Sequence, residues 1–309
     1  MALILGCIAD DLTGASDLSL MLGEHGMSVV QVLGRPGGGL PEAIDAAVVA
    51  LKTRTAPVSE AVAESLAAAR WLRRQGAIQV FFKYCSTFDS TEQGNIGPVA
   101  EALLDELQTP FTVVCPAFPD NGRTVYQGHL FVGDRLLSDS GMRDHPLTPM
   151  RDANLVRFLG KQCRSGETVA GTPFGVVRQG PEVIQRQFRE LQERGVRFAV
   201  TDALTNEDLF SIARAAADLP LVTGGSAVAM GIPKNFRRAG LLPEKRGLSA
   251  LPSVSSPTVI LSGSCSQATR QQVGVVAETF SSFRLDPIAL AEGRESSITA
   301  LERVKPALE

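Results

Sequence analysis

The sequence predicts an α/β fold: a parallel-sheet amino-terminal domain with helices on both faces, plus a second α/β domain that is incomplete at residue 309. Three observations carry this reading. Short apolar runs alternate with amphipathic segments along most of the chain. The runs are continuous rather than alternating, as in strands buried on both faces. Polar and charged clusters follow the runs, where the carboxyl ends of parallel strands would lie.

The first run, Leu3 to Ala9, stops at Asp10 and Asp11. Thr13 and Gly14 then lead into a helix with Leu18, Met21 and Leu22 on its apolar positions. Adjacent carboxylates repel and need a cation, a donor or a proton between them. The blander reading is that one of them only caps the helix. Further strands are predicted over Val29–Leu33, Ala46–Leu51, Val80–Phe82, Phe111–Cys115, Val196–Thr201 and Pro220–Thr223. Helices are predicted from Ser59 to Gly76, from Gly97-Pro98 through Leu107, over Glu182–Arg194 and over Asn206–Ala217. Thr124 to Arg151, with its glycines and prolines, reads as a hairpin and a long loop. A polar linker follows at 243–257, separating domain 1–242 from a truncated unit, 258–309, with a strand at Thr258–Leu261 and a helix from Gln267 to Phe280.

The chain has 309 residues, 44% hydrophobic and 20% charged, enough for two domains with sizeable cores. A net charge of −3 gives no electrostatic case for nucleic acid or an anionic membrane surface. Five cysteines without CxxC spacing argue against a disulfide framework or zinc site and for a reducing compartment. With no signal peptide and no spanning apolar stretch, the expected location is the cytoplasm. The three histidines lack metal-ligand spacing.

Polar clusters at four strand ends carry the chemistry: Asp10/Asp11, Lys52/Arg54, Lys83/Ser86/Asp89 and Asp120/Asn121/Arg123. On one edge of one sheet they would surround a single crevice. Arg54 and Lys83 suit an anion, with Arg the better fork for a carboxylate. Aspartates and hydroxyls suit the alcohols of a polyol. Together they suggest a small hydroxy acid, although each residue alone could be a solvated loop charge. Ser262-Gly263-Ser264 is a phosphate-cradle candidate without P-loop spacing. Gly224-Gly225-Ser226 is a similar turn, read as close helix–strand packing.

These motifs together resemble the four-carbon acid-sugar kinases. The carriers are IADDLTGA from Ile8, KYCSTFDSTEQGNIG from Lys83, PAFPDNGR from Pro116, GMRDHPLTPM from Gly141 and SGSCS from Ser262. The second motif is similar to that of the 3-oxo-tetronate 4-kinase subgroup. The resemblance implies an acid-sugar domain, a nucleotide-binding domain, and transfer of phosphate from ATP, with Mg2+, to the terminal hydroxyl of a 3-oxo-tetronate. Asp10, Asp11, Arg54, Lys83, Tyr84, Cys85, Ser86, Asp89, Asp120, Asn121 and Arg123 would then form the substrate site, with Asp10, Asp11 and Lys83 catalytic. Ser262, Gly263 and Ser264 would begin the ATP site. One of Asp10 and Asp11 would take the hydroxyl proton, while Arg54 and Lys83 hold the carboxylate and oxo groups. The partners are the acid sugar and ATP, with a homo-oligomer as a further expectation. Family members continue past residue 309 into glycine-rich ATP-binding segments, so this chain is expected to bind the sugar acid with little kinase activity. The alternatives are a threonate or erythronate kinase, or a non-catalytic sugar-acid-binding module. A haloacid-dehalogenase-like phosphatase is disfavoured because Ala9 stands where its nucleophilic aspartate would be.

Overall fold

The structure, a computed structural model, describes residues 3–164, 166–243, 259–264 and 267–305. It divides into two compact units, Met1–Leu248 and Ser249–Glu309. In the first, β1 (Leu5–Ala9), α1 (Leu12–Glu24), β2 (Val29–Leu33), β3 (Ala46–Ala50), α2 (Val58–Arg74), β4 (Gln79–Lys83), α3 (Ile96–Glu106) and β5 (Thr112–Cys115) follow the predicted alternation. A meander, β6 (Arg123–Tyr126), β7 (His129–Val132) and β8 (Arg135–Leu136), comes next. Then come α4 (Leu155–Gln162), β9 (Val169–Thr172), α5 (Phe174–Val177), α6 (Pro181–Glu193), β10 (Phe198–Thr201), α7 (Asn206–Ala215), β11 (Leu221–Gly224) and α8 (Ile232–Arg238).

Eight strands make one parallel sheet in the order β2-β3-β1-β4-β11-β5-β10-β9. The inner strands β1, β3, β4, β11, β5 and β10 are buried along their whole length, which explains their continuous apolar runs. The edge strand β2 is only half-buried over most of its length. Helices surround the sheet, and local chemistry starts several of them. Asp11 caps α1 by accepting from the Gly14 N–H, and Thr205 with Asp208 forms a reciprocal capping box on α7. Pro181 opens α6 after Gly180, whose φ of 94° favours glycine. Gly6 lets α2 lie close on β1, since a Cβ there would meet the Leu72 Cβ at 2.8 Å.

The sequence reading differs from the structure in three places. Residues 123–136 form a separate three-stranded antiparallel sheet, not a single hairpin. The short elements α4, β9 and α5 carry little sequence signal: β9 is only Val-Ala-Gly-Thr and lacks an apolar run. The strand expected at Thr258–Leu261 is absent over its described part, Val259–Leu261. Those three side chains are exposed, and an extended segment becomes a strand only where a neighbour completes its ladder. In the second unit the described elements are α9 (Gln267–Ala277), α10 (Pro287–Ala291) and α11 (Ser297–Val304). The predicted linker, apart from Pro243, lies outside the described residues, as do Cys265 and Ser266. No helix among the described residues is long and apolar enough to cross a membrane.

Candidate functional site

The carboxyl ends of β1, β3 and β4 are stitched together by the backbone of one residue. Asp10 N–H donates to the Lys83 carbonyl at 3.1 Å, and the Asp10 carbonyl accepts from Thr53 N–H at 3.0 Å and Arg54 N–H at 3.2 Å. The chain leaves β1 for β2, beyond β3 on one side, and leaves β3 for β4 on the other. This is the switch point at which open parallel sheets bind ligands.

Arg54 is the hub of the side chains gathered there. Its Nε donates to Asp10 Oδ2 at 3.0 Å and its Nη2 to Asp10 Oδ1 at 2.9 Å, a two-pronged pairing. Nη2 also lies 3.0 Å from Asp11 Oδ2, and Nη1 lies 3.8 Å from Asp89 Oδ2. Asp11 thus has two duties: Oδ1 caps α1 through the Gly14 N–H at 2.7 Å, and Oδ2 faces the arginine. Asp89 is oriented by Thr87, whose hydroxyl also meets Cys85 Sγ at 3.0 Å. Burial pushes the Asp10 carboxyl up, against the opposing pull of Arg54 and Lys83. Burial works against the Arg54 charge, but the bonds to Asp10 outweigh it and hold the guanidinium still more firmly protonated. Burial, with the Asp89 charge next, pushes the Cys85 thiol up, so it is no ready thiolate.

Lys83 stands at the end of β4 as expected, yet it is buried rather than exposed. Its Nζ donates to the Tyr84 carbonyl at 2.9 Å and lies against Gly14. Lys83 is thus no solvated loop charge: its stem is packed and its charge is enclosed.

Tyr84 is a second correction. Its ring is fully buried, edge-on to Phe82 and Phe88, and its hydroxyl pairs with Thr223 Oγ1 at 3.1 Å. It is a core residue, and a substrate-binding side chain does not fit that position. Cys85 and Ser86 sit half-buried where the loop leaves the sheet.

The Asp120 cluster is a separate group, on the connection after β5, which β11 separates from β4. Asp120 accepts from Asn206 Nδ2 at 2.8 Å, and Arg123 Nη1 donates to the Asn121 carbonyl at 2.5 Å. Arg123 Nε and Asn206 Oδ1 are buried there without a partner. No hydrogen bond or ion pair among the described residues joins this group to the Arg54 hub. Gly224 and Gly225 serve close packing: added Cβ atoms would lie 2.4 Å from the Cys115 carbonyl oxygen and 2.7 Å from that of Pro116. In the second unit, Ser262, Gly263 and Ser264 are exposed and form no helix or strand.

Among the described residues no group of three or more His, Cys, Asp or Glu side chains is placed to hold a metal ion. Asp10, Asp11 and Asp89 all turn toward Arg54 instead, so the described residues do not fit a resident magnesium ion.

Gly14→Ala probes this geometry directly. The new Cβ would lie 2.5 Å from Asp11 Oδ1 and 2.7 Å from Lys83 Nζ, both at ends of side chains that can shift. Alanine is also the better helix former, by roughly 1 kcal/mol. The variant is expected to melt close to the parent while binding a four-carbon sugar acid at least about tenfold more weakly, a step of about 1.4 kcal/mol. Calorimetry beside a thermal melt checks both halves.

An eight-stranded parallel α/β domain with an acidic and basic cluster at its switch point defines a small-molecule-binding α/β protein. Comparison with known proteins narrows the class. Residues 5–232 match the family described as a sugar-binding N-terminal domain. A Cupriavidus necator protein named 3-oxo-tetronate kinase is 52% identical over 302 residues, covering 96% of this chain and 69% of that protein. A Haemophilus influenzae crystal structure superposes with a TM-score of 0.76 at 47% identity, covering 98% of this chain and 72% of that one. A domain of unknown function from Bordetella bronchiseptica, solved with bound citrate as a domain-swapped dimer, superposes with a TM-score of 0.60 at 25% identity. It covers 90% of this chain and 65% of that one. The chain belongs to the four-carbon acid-sugar kinase family.

Proposed function

We propose that this chain provides the acid-sugar site of a kinase that transfers phosphate from ATP to the 4-hydroxyl of 3-oxo-tetronate. The observation that carries the reading is the Arg54 hub, which holds three carboxylates and places Lys83 beside them at the sheet's switch point. The name of the Cupriavidus relative supports the reaction, and citrate in the Bordetella relative supports a carboxylic acid as ligand.

Phosphoryl transfer asks the protein mainly for positioning and charge stabilisation. Both carboxylates are engaged, Asp10 by Arg54 and Asp11 by Arg54 and the Gly14 N–H, but the Asp11 side chain is 30% exposed against 6% for Asp10. Asp11 is therefore the carboxylate that can reach a substrate hydroxyl and accept its proton. Arg54 is committed to aspartates, so the substrate's own carboxylate and oxo group fall to Lys83. ATP supplies the phosphoryl group, and the residues that would hold it are not assigned within the described chain. The enzyme is proposed to work in the cytoplasm, as a homo-oligomer.

A screen of three- to six-carbon acid sugars with ATP and magnesium, beside calorimetry with threonate, tests this. Phosphorylation of 3-oxo-tetronate at C4 is the expected result where the nucleotide-binding segments are supplied, and sugar-acid binding with little turnover is expected of the 309-residue chain by itself. Turnover confined to threonate or erythronate would move the substrate within the family. Binding without turnover even with those segments supplied would favour a binding module. Neither binding nor turnover of any sugar acid would remove the proposal.

A further inference from the structure

Asn95 occupies the N-cap of α3, where asparagine ordinarily turns its side chain back to satisfy the first amides of its own helix. Here it makes no such bond. Its buried carboxamide instead points across to the segment that follows β3. Nδ2 donates to the Thr53 carbonyl at 2.6 Å and the Ala56 carbonyl at 2.9 Å, with the Arg54 carbonyl at 3.3 Å. One amide thereby holds three carbonyls of the turn that carries Arg54. The vacated duty on α3 is taken by a second helix: Gln162, the last residue of α4, accepts from the Gly97 N–H at 2.8 Å. The same Gln162 side chain donates to Ser90 Oγ at 2.9 Å and to the Thr91 carbonyl at 2.6 Å, just beyond Asp89.

We infer that Asn95 is a positioning residue for the sugar-acid site: it fixes the Thr53–Ala56 turn so that the Arg54 guanidinium meets Asp10, Asp11 and Asp89 together. The inference rests on the proposed function of that site. A residue that breaks its own local rule while satisfying a distant segment is what a functional constraint looks like. The geometry also says why an arginine is held so firmly from behind. A long, flexible side chain organises three like charges only if its backbone does not wander. Asn95 touches none of the groups proposed to react, so its effect runs through Arg54.

Two substitutions separate positioning from capping. Aspartate and serine are both good N-caps, and a negative charge suits a helix amino terminus. If Asn95 were only a cap, Asn95→Asp and Asn95→Ser would leave the protein as it was. If it positions Arg54, the aspartate presents acceptors to three carbonyls and repels them, while the serine is too short to reach them. Each is then expected to weaken threonate binding about tenfold or more. Amide exchange should quicken at Thr53 and Arg54, whose N–H groups bond the Asp10 carbonyl, while the α3 interior stays protected. Serine carries no charge, so Asn95→Ser remains readable if the buried aspartate prevents folding.

Arg54→Ala, measured in parallel, distinguishes the two possible failures. If Arg54→Ala loses threonate and both Asn95 variants bind it as the parent does, the inference is overturned and the site reading stands. If Arg54→Ala also binds threonate normally, the site itself is misplaced and the inference falls with it. Loss of binding in both Asn95 variants with α3 exchange unchanged supports it. Loss of binding accompanied by general loosening of α3 returns Asn95 to a structural role.

Discussion

Replacing Arg54 with methionine is expected to destabilise the first unit by about 3–5 kcal/mol near pH 7 and to abolish sugar-acid binding. The magnitude turns on burial. An exposed ion pair contributes about 0–1 kcal/mol, but the Arg54 side chain is only 20% exposed and that of its main partner Asp10 only 6%. Methionine fills much of the same volume, so packing changes little. What changes is that Asp10, Asp11 and Asp89 lose the cation between them. The effect has a definite sign with pH. Burial already holds the Asp10 carboxyl above its ordinary value. The stability contributed by such a group is fully present below the unfolded carboxyl's range, near 4, and is lost as pH rises through the raised folded value. Removing Arg54 takes away the pull that opposes this rise at Asp10, so the deficit should be largest at pH 7 and shrink toward pH 4. Urea denaturation of both proteins at pH 7 and pH 4.5 reads this directly. A constant difference across that range, or none, would mean that the carboxylates are not coupled through Arg54.

Asp202→Ala is expected to cost about 2–5 kcal/mol, although the residue belongs to no proposed contact with substrate. Asp202 is buried at the end of β10 and accepts from three backbone amides: Gln127 at 2.7 Å, Gly128 at 2.9 Å and Phe174 at 2.8 Å. Its carboxylate joins the β6–β7 turn and the start of α5 to the main sheet, beside a bridge between Val125 and Ala203. Truncation strands those donors. Gln127 is exposed and can turn to water, whereas Gly128 is buried, which sets the lower and upper limits. Asp202→Asn keeps one acceptor oxygen and should lose less. A single cooperative melt lowered by several degrees is the expected signature for alanine. An unchanged melting temperature would show that the meander is held by its apolar contacts alone.

Much of the first unit could be read from residue order. Leu5–Ala9, Ala46–Ala50 and Gln79–Lys83 announce themselves because central parallel strands need apolar side chains on both faces. The polar residues that end those runs could be located for the same reason, and Asp10, Asp11, Arg54, Lys83 and Asp89 do come together. Tyr84 sits among polar neighbours in sequence, and nothing local says that its ring packs edge-on to Phe82 and Phe88. The burial of Lys83 is not legible in sequence, because burial of a strand end depends on what crosses it, here α1 at Gly14. The hydrogen-bonding duties of Asn95 and Gln162 lie with partners distant in sequence, so no spacing rule points to them. The separation of Asp120–Arg123 from the Arg54 hub has the same origin: it follows from β11 lying between β4 and β5, which strand counting cannot show.

That late strand has a consequence for how the molecule is made. Val80 of β4 finds its β11 partner in Leu221, while Val114 of β5 finds Thr223. Until the ribosome has released the chain past Gly224, the sheet exists at most as two halves, β2-β3-β1-β4 and β5-β10-β9, with bare apolar edges facing each other. Pairing strands so distant in sequence is slow. Lys83 ends β4, one of those edges, so the sugar-acid pocket should become competent only after the last wedge is driven between the halves. A nascent chain halted before Leu221 should be bound by chaperones and digested readily, whereas one halted after α8 should resist protease.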